Sequence, residues 1–148
     1  MHHPRALLAG LGTATALLGA CTPAGEVRED RGQPVYEGVT ALLLDPGLVR
    51  LTVKVRDGNG PPDVEAYARC AVAQYALDED LAFARQVRTI VTKGDGTKGE
   101  GRQAGQKAGQ EWVGDAVYLV SATRPEGLQV MDAKATVEDC ARLGIPTA

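Results

Sequence analysis

Residues 48–78 read LVRLTVKVRDGNGPPDVEAYARCAVAQYALD, and their patterning decides the fold. Over the first nine, Val49, Leu51, Val53 and Val55 alternate with Arg50, Thr52, Lys54 and Arg56, the period of a strand with one buried face. The run Asp57-Gly58-Asn59-Gly60-Pro61-Pro62 then breaks the strand. From 63 to 78, Val64, Tyr67, Ala68, Ala71, Val72 and Tyr75 recur at i, i+3, i+4, which predicts a helix lying on a sheet. A second stripe, Ala66, Cys70, Ala73 and Leu77, lies on roughly the opposite side, with Glu65 and Arg69 as an i,i+4 pair between the two. A helix with two apolar sides needs two covers. The sheet is one, and the C-terminal segment carrying Cys140 is the natural second, which brings Cys140 to Cys70.

Working outward, an apolar stretch Val39–Leu44 precedes the turn Asp45-Pro46-Gly47, so the first strand belongs to a hairpin with 48–56. Residues 81–92 and 112–122 predict two further strands, and Leu128–Ala135 an edge strand. Thr136-Val137-Glu138-Asp139 reads as a capping box, with Arg142, Gly144 and Pro146 closing a short helix around Cys140. The expected fold class is α+β: an antiparallel sheet of about four strands, one long helix across a face and a short C-terminal helix, in a single domain over 39–148. Between the third and fourth strands, residues 93–111 carry six glycines and charges of both signs. The spacing is not G-x-x-x-x-G-K-[ST] and no helix follows, so the segment is read as a long mobile hairpin loop, not a phosphate cradle.

The amino terminus is an address. Arg5 stands before an uncharged Ala/Leu/Gly stretch over 6–20, which has the length of an export signal and falls short of the roughly 20 residues a bilayer span requires. That stretch ends Leu17-Leu18-Gly19-Ala20-Cys21, and it resembles the lipobox of bacterial lipoproteins. The resemblance implies that residues 1–20 are a lipoprotein signal peptide. The mature chain then starts at Cys21, and its thiol and new amino group carry acyl chains of the palmitate type that hold it to a membrane. Thr22 stands where Asp would mark inner-membrane retention in such lipoproteins, so an outer-membrane position facing the periplasm is implied. Residues 21–38, mixing Pro, Gly and charges with little to bury, read as a flexible tether.

Removal of residues 1–20 takes away Arg5, His2 and His3, leaving no histidine, 15 cations and 19 carboxylates in the chain. A chain without histidine has no Ser-His or Cys-His nucleophile and no imidazole zinc site. Cys70 and Cys140 remain after Cys21 is lipidated, with no C-x-x-C spacing, and in an oxidising envelope they are expected to form a structural disulfide. The full chain, 16 basic against 19 acidic residues with 4% aromatics, has neither the basic surplus nor the stacking rings of a nucleic-acid binder. The adjacent acids Asp78-Glu79-Asp80 lack the spaced ligands and Gly turn of a calcium loop and read as a solvated turn. The cations Arg50, Lys54 and Arg56 on the polar side of the strand are read as a solvated or ion-paired face, the other reading being a stripe that docks lipid headgroups or an acidic partner.

The segment Ala66–Arg88, AYARCAVAQYALDEDLAFARQVR, resembles small uncharacterised bacterial envelope lipoproteins, in which an Ala-rich helix leads into a strand opening with an aromatic residue. That likeness carries no catalytic motif. The expectation is therefore a lipid-anchored, non-enzymatic binding or scaffolding module with an envelope protein partner, using no cofactor or metal. The competing class is a small carboxylate-based hydrolase drawing on Asp78, Asp80, Asp115, Asp132 and Glu138, with Lys54 or Lys134 as bases, and it requires two of these acids to converge across a cleft.

Overall fold

A computed structural model describes residues 32–95 and 109–148. The expected signal peptide, the lipidation site Cys21, most of the tether and residues 96–108 of the Gly-rich loop lie outside the described residues. The elements run β1 (Val35–Asp45), β2 (Leu48–Arg56), α1 (Pro61–Asp78), β3 (Phe83–Lys93), β4 (Glu111–Ser121), β5 (Val130–Asp132) and α2 (Ala133–Leu143). The fold is α+β, with one antiparallel sheet in the order β1-β2-β4-β3-β5.

The period-two pattern of β2 places Val49, Leu51, Val53 and Val55 in the core, each at most 1% exposed. Their neighbours on β4, Gly114, Ala116, Tyr118 and Val120, are buried on the same side. Two prolines open α1, where missing N–H groups leave no intrahelical bond unmade. The Asp63 carboxylate accepts the Asn59 backbone N–H at 2.6 Å and adds an anion to the first turn. Val64, Tyr67, Ala68, Ala71 and Val72 face the sheet, and small residues let the helix come close. Under it, Gly114 on β4 leaves room for Val64, because a β-carbon there would run into the Val64 and Val53 methyls.

The second stripe of α1 is covered by α2, as the two-sided pattern implied. Cys70 and Cys140 are 2% and 3% exposed and joined by a disulfide that closes a separation of 70 residues. With one link between α1 and α2, the last helix is held over the first, and Ala73 and Ala76 are sealed from water.

The observed boundaries depart from the sequence expectation at three places. The sheet has five strands where about four were expected, and β1 starts at Val35, so the chain is folded from four residues before the expected domain start at Val39 and the expected tether overlaps the strand. The reason is Tyr36, whose ring lies 4.9 Å from that of Tyr67, giving this charged and Gly-rich stretch a core contact that composition conceals. The edge strand expected over Leu128–Ala135 is three residues long. Finally, α2 begins at Ala133, and its N-cap is Asp132, not Thr136: the Asp132 carboxylate accepts the Ala135 N–H at 2.9 Å, while the Thr136 hydroxyl donates to the Asp132 carbonyl at 2.7 Å. At the other end Gly144 takes the left-handed conformation (φ 69°), and the Ile145 N–H returns to the Cys140 carbonyl at 3.0 Å.

Candidate functional site

Both helices lie on one side of the sheet, so the alternation that buries one face leaves the other to solvent. The register assigns Leu42 of β1, Arg50, Thr52 and Lys54 of β2, Val113, Asp115, Val117 and Leu119 of β4, and Arg88 and Ile90 of β3 to this open face. Asp115 sits at its centre. Arg50 on one side makes a charge-assisted hydrogen bond to Asp115 Oδ2, and Arg88 on the other approaches Oδ1 at 3.7 Å. The three residues form a row across β2, β4 and β3. Val117, directly opposite both arginines in the register, is only 6% exposed although it belongs to the open face. The arginine stems flank it and keep their charged ends in water.

Arg56 pairs with Glu37 at 3.3 Å, so two of the three cations singled out on β2 serve as ion-pair partners. Lys54 has no ion-pair or hydrogen-bond partner among the described residues, and with Thr92, Lys93, Glu111 and Val113 it lines a shallow recess of about 380 Å³ at the loop end of the sheet. At the same end, on the covered side, the Lys93 ammonium lies 5.5 Å over the Trp112 ring, whose register partner on β2 is the buried Val55. At the opposite corner the connection after β4 folds over the face: the Arg124 guanidinium lies 5.9 Å over the Phe83 ring, and Gly127 packs against Arg85. Exposed pairs of this kind are worth about 0.2–1 kcal/mol each, so their contribution is to order the face and not to hold the fold.

The five acids of the hydrolase reading occupy separate elements. Asp78 accepts the Gln74 amide at 2.8 Å at the end of α1, Asp80 follows in a left-handed turn (φ 57°), Asp115 is held by two arginines, Asp132 caps α2, and Glu138 stands exposed on α2. Lys134 is exposed on α2 as well, and among the described residues no three Cys, Asp, Glu or His side chains gather where a metal ion could bind. On the covered side Tyr118 is the one strongly perturbed group: burial pushes its hydroxyl up to about 12, the nearby Thr89 side chain opposing the shift, and no group among the described residues meets the hydroxyl with good hydrogen-bond geometry. The hydroxyl sits on the covered side of the sheet, walled from solvent.

Arg88 and Asp115 are the members of the central row that patterning did not single out as a pair. The signal was obscured by a β-bulge between Gln86 and Arg88, which puts Val87 out of step and returns Arg88 to the face of Arg85. Among the described residues no helix is long and apolar enough to cross a membrane.

Comparison with known proteins gives two matches. The chain is 33% identical over 101 residues to an uncharacterized 26.9 kDa protein in the nqo8 5′ region of Paracoccus denitrificans, an alignment covering 68% of this chain and 34% of that protein. The chain thus spans about a third of the length of the relative it matches. No solved structure matches. The model of the YNQ4 C-terminal domain matches residues 36–144, from the Tyr36 contact in β1 to the Gly144 cap of α2 and so nearly all of the described fold, and the chain belongs to that family.

Proposed function

We propose that the chain is a lipid-anchored, periplasm-facing envelope lipoprotein, held at the outer membrane through acyl chains on Cys21, that acts as a non-enzymatic binding or scaffolding module. Its open sheet face is the surface that receives an acidic envelope protein. The single observation behind this reading is the charge of that face: Arg50, Lys54, Arg56, Arg85 and Arg88 stand there against Glu37, Asp45, Glu111 and Asp115, although acids outnumber bases 19 to 16 in the chain as a whole. A surplus of cations on one face steers a partner of opposite sign and fixes its orientation. The dispersal of Asp78, Asp80, Asp115, Asp132 and Glu138 over separate elements gives the hydrolase reading no converging pair to work with.

The test is a crosslinking pull-down from intact cells with the full chain and with the Arg50→Ala, Arg88→Ala double variant. The expected outcome is an acidic envelope protein captured by the unaltered chain and lost from the variant at equal abundance and equal thermal stability. Capture that is indifferent to both arginines overturns the assignment of the face.

A further inference from the structure

The break between β2 and α1 reads Asp57-Gly58-Asn59-Gly60-Pro61-Pro62, and it holds the chain's only asparagine. Asn59 is exposed and stands one residue before the N-cap of α1, outside the hydrogen-bonded ladder of the helix. Its side-chain amide is held by Asp63 alone, at 3.4 and 3.5 Å, which is long for a hydrogen bond and restrains it weakly. The next residue is Gly60, with φ 80° and no β-carbon to shield its backbone nitrogen. The Gly60 carbonyl accepts the Asp63 and Val64 N–H groups, whereas its own N–H donates to no group among the described residues. An accessible amide and an unhindered backbone nitrogen one residue on are the two reactants of a five-membered ring.

We propose that Asn59-Gly60 is a self-modifying site, which closes to a succinimide and opens to isoaspartate without enzyme or cofactor, loosening the start of α1. Gly60 N forms a bond to Asn59 Cγ and gives up its proton, the Cγ–Nδ2 bond breaks, and Nδ2 leaves with that proton as ammonia. Water then adds across one of the two ring C–N bonds, its hydroxyl to the carbonyl carbon and its proton to Gly60 N. Opening at Cγ gives aspartate. Opening at the backbone carbonyl gives isoaspartate, which carries the main chain through the side-chain methylene. The two products differ in what they do to the fold. Aspartate keeps the Asn59 N–H on Asp63 and sets an anion at the positive end of the helix dipole, so it is tolerated. Isoaspartate lengthens the chain between two glycines that have no slack: a β-carbon at Gly58 would stand 2.8 Å from Pro34 Cβ, and one at Gly60 2.9 Å from the Trp112 ring. The added methylene therefore pulls the Asn59 N–H off Asp63 or lifts Gly60 off Trp112.

The test is ageing of the folded full chain in mildly alkaline buffer below its unfolding midpoint, beside the same chain unfolded in urea and the variants Asn59→Gln and Asn59→Asp. Three signals are read: ammonia release, the amide-to-acid mass gain on the peptide carrying Asn59, and methyl-ester labelling by an isoaspartyl methyltransferase. The folded chain gains isoaspartate there within about tenfold of the unfolded rate, and faster as hydroxide rises. Hydroxylamine traps the ring as a hydroxamate at the same residue. The unfolding midpoint falls by about 4 °C as the label accumulates. Asn59→Gln, which can close only the slower six-membered ring, keeps its mass and its midpoint, and freshly made Asn59→Asp keeps the midpoint of the unaged chain. The proposal is overturned by a folded chain that keeps its amide while the unfolded chain loses it, by conversion to aspartate alone, or by an isoaspartate-bearing chain that unfolds at the midpoint of the fresh one.

Discussion

Replacing Gly114 with Ala tests how α1 is seated on the sheet. Gly114 has ordinary strand geometry, so its lack of a side chain is a matter of room: a β-carbon there would stand 2.8 Å from Val53 Cγ2 and closer still to Val64 Cγ1. Both neighbours are fully buried valines, stiff at χ1, and neither turns aside without moving its backbone. Overpacking of this kind costs about 1–3 kcal/mol, and with a methyl pressed on two walls we expect about 2. At about 4 °C per kcal/mol for a domain of this size, the midpoint drops roughly 8 °C. Urea unfolding of Gly114→Ala, with the slope m unchanged, measures it. The second arm is Val64→Ala, which removes two methyls at about 0.8 kcal/mol each and makes the space the new methyl needs. The double variant is then about as stable as Val64→Ala alone. A neutral Gly114→Ala, or single effects that simply add to within about 0.5 kcal/mol, refutes the close seating of Val64 on β4.

Reduction of Cys70–Cys140, or Cys70→Ala with Cys140→Ala, lowers stability by roughly 4 kcal/mol for a loop of this length, read as a shift in urea midpoint with and without reductant. Asp132→Ala removes the N-cap of α2 and costs about 1 kcal/mol, whereas Asp132→Ser retains most of it; the same denaturation curves decide. Because Tyr118 ionises at about 12 when folded against 10 when unfolded, its contribution is complete below pH 10 and is lost as pH rises from about 10 to 12. Stability in that window therefore falls by roughly 2–3 kcal/mol, a loss that Tyr118→Phe removes. Asp115→Asn leaves Arg50 and Arg88 facing one another and lowers stability by less than about 1 kcal/mol, an effect that 0.5 M salt erases.

How much of this was legible depended on whether the deciding contact was local. The alternation of β2 and the helical periodicity of 63–78 depend on residues a few positions apart, and both elements form where the patterns put them. The second stripe of α1 even foretold its cover, because Cys70 and Ala73 on the far side of a sheet-bound helix have to be buried by something. The start of β1 was not legible, since Tyr36 earns its place only through Tyr67, 31 residues away. Thr136 was a plausible cap by spacing, and it lost to Asp132 because β5 ends there and delivers that carboxylate to the first turn. The Arg50-Asp115-Arg88 row joins three strands whose order, β2-β4-β3, is not sequential, and a bulge hid the phase of Arg88.

The most direct test of the envelope-anchored account is the intact mass of the protein extracted from membranes, taken with a thiol alkylator before and after reduction. The account predicts a chain beginning at Cys21 that carries fatty acyl mass, takes up no alkyl group as isolated and takes up two once reduced. A chain with an unmodified Cys21, or one whose Cys70 and Cys140 alkylate without reduction, contradicts it.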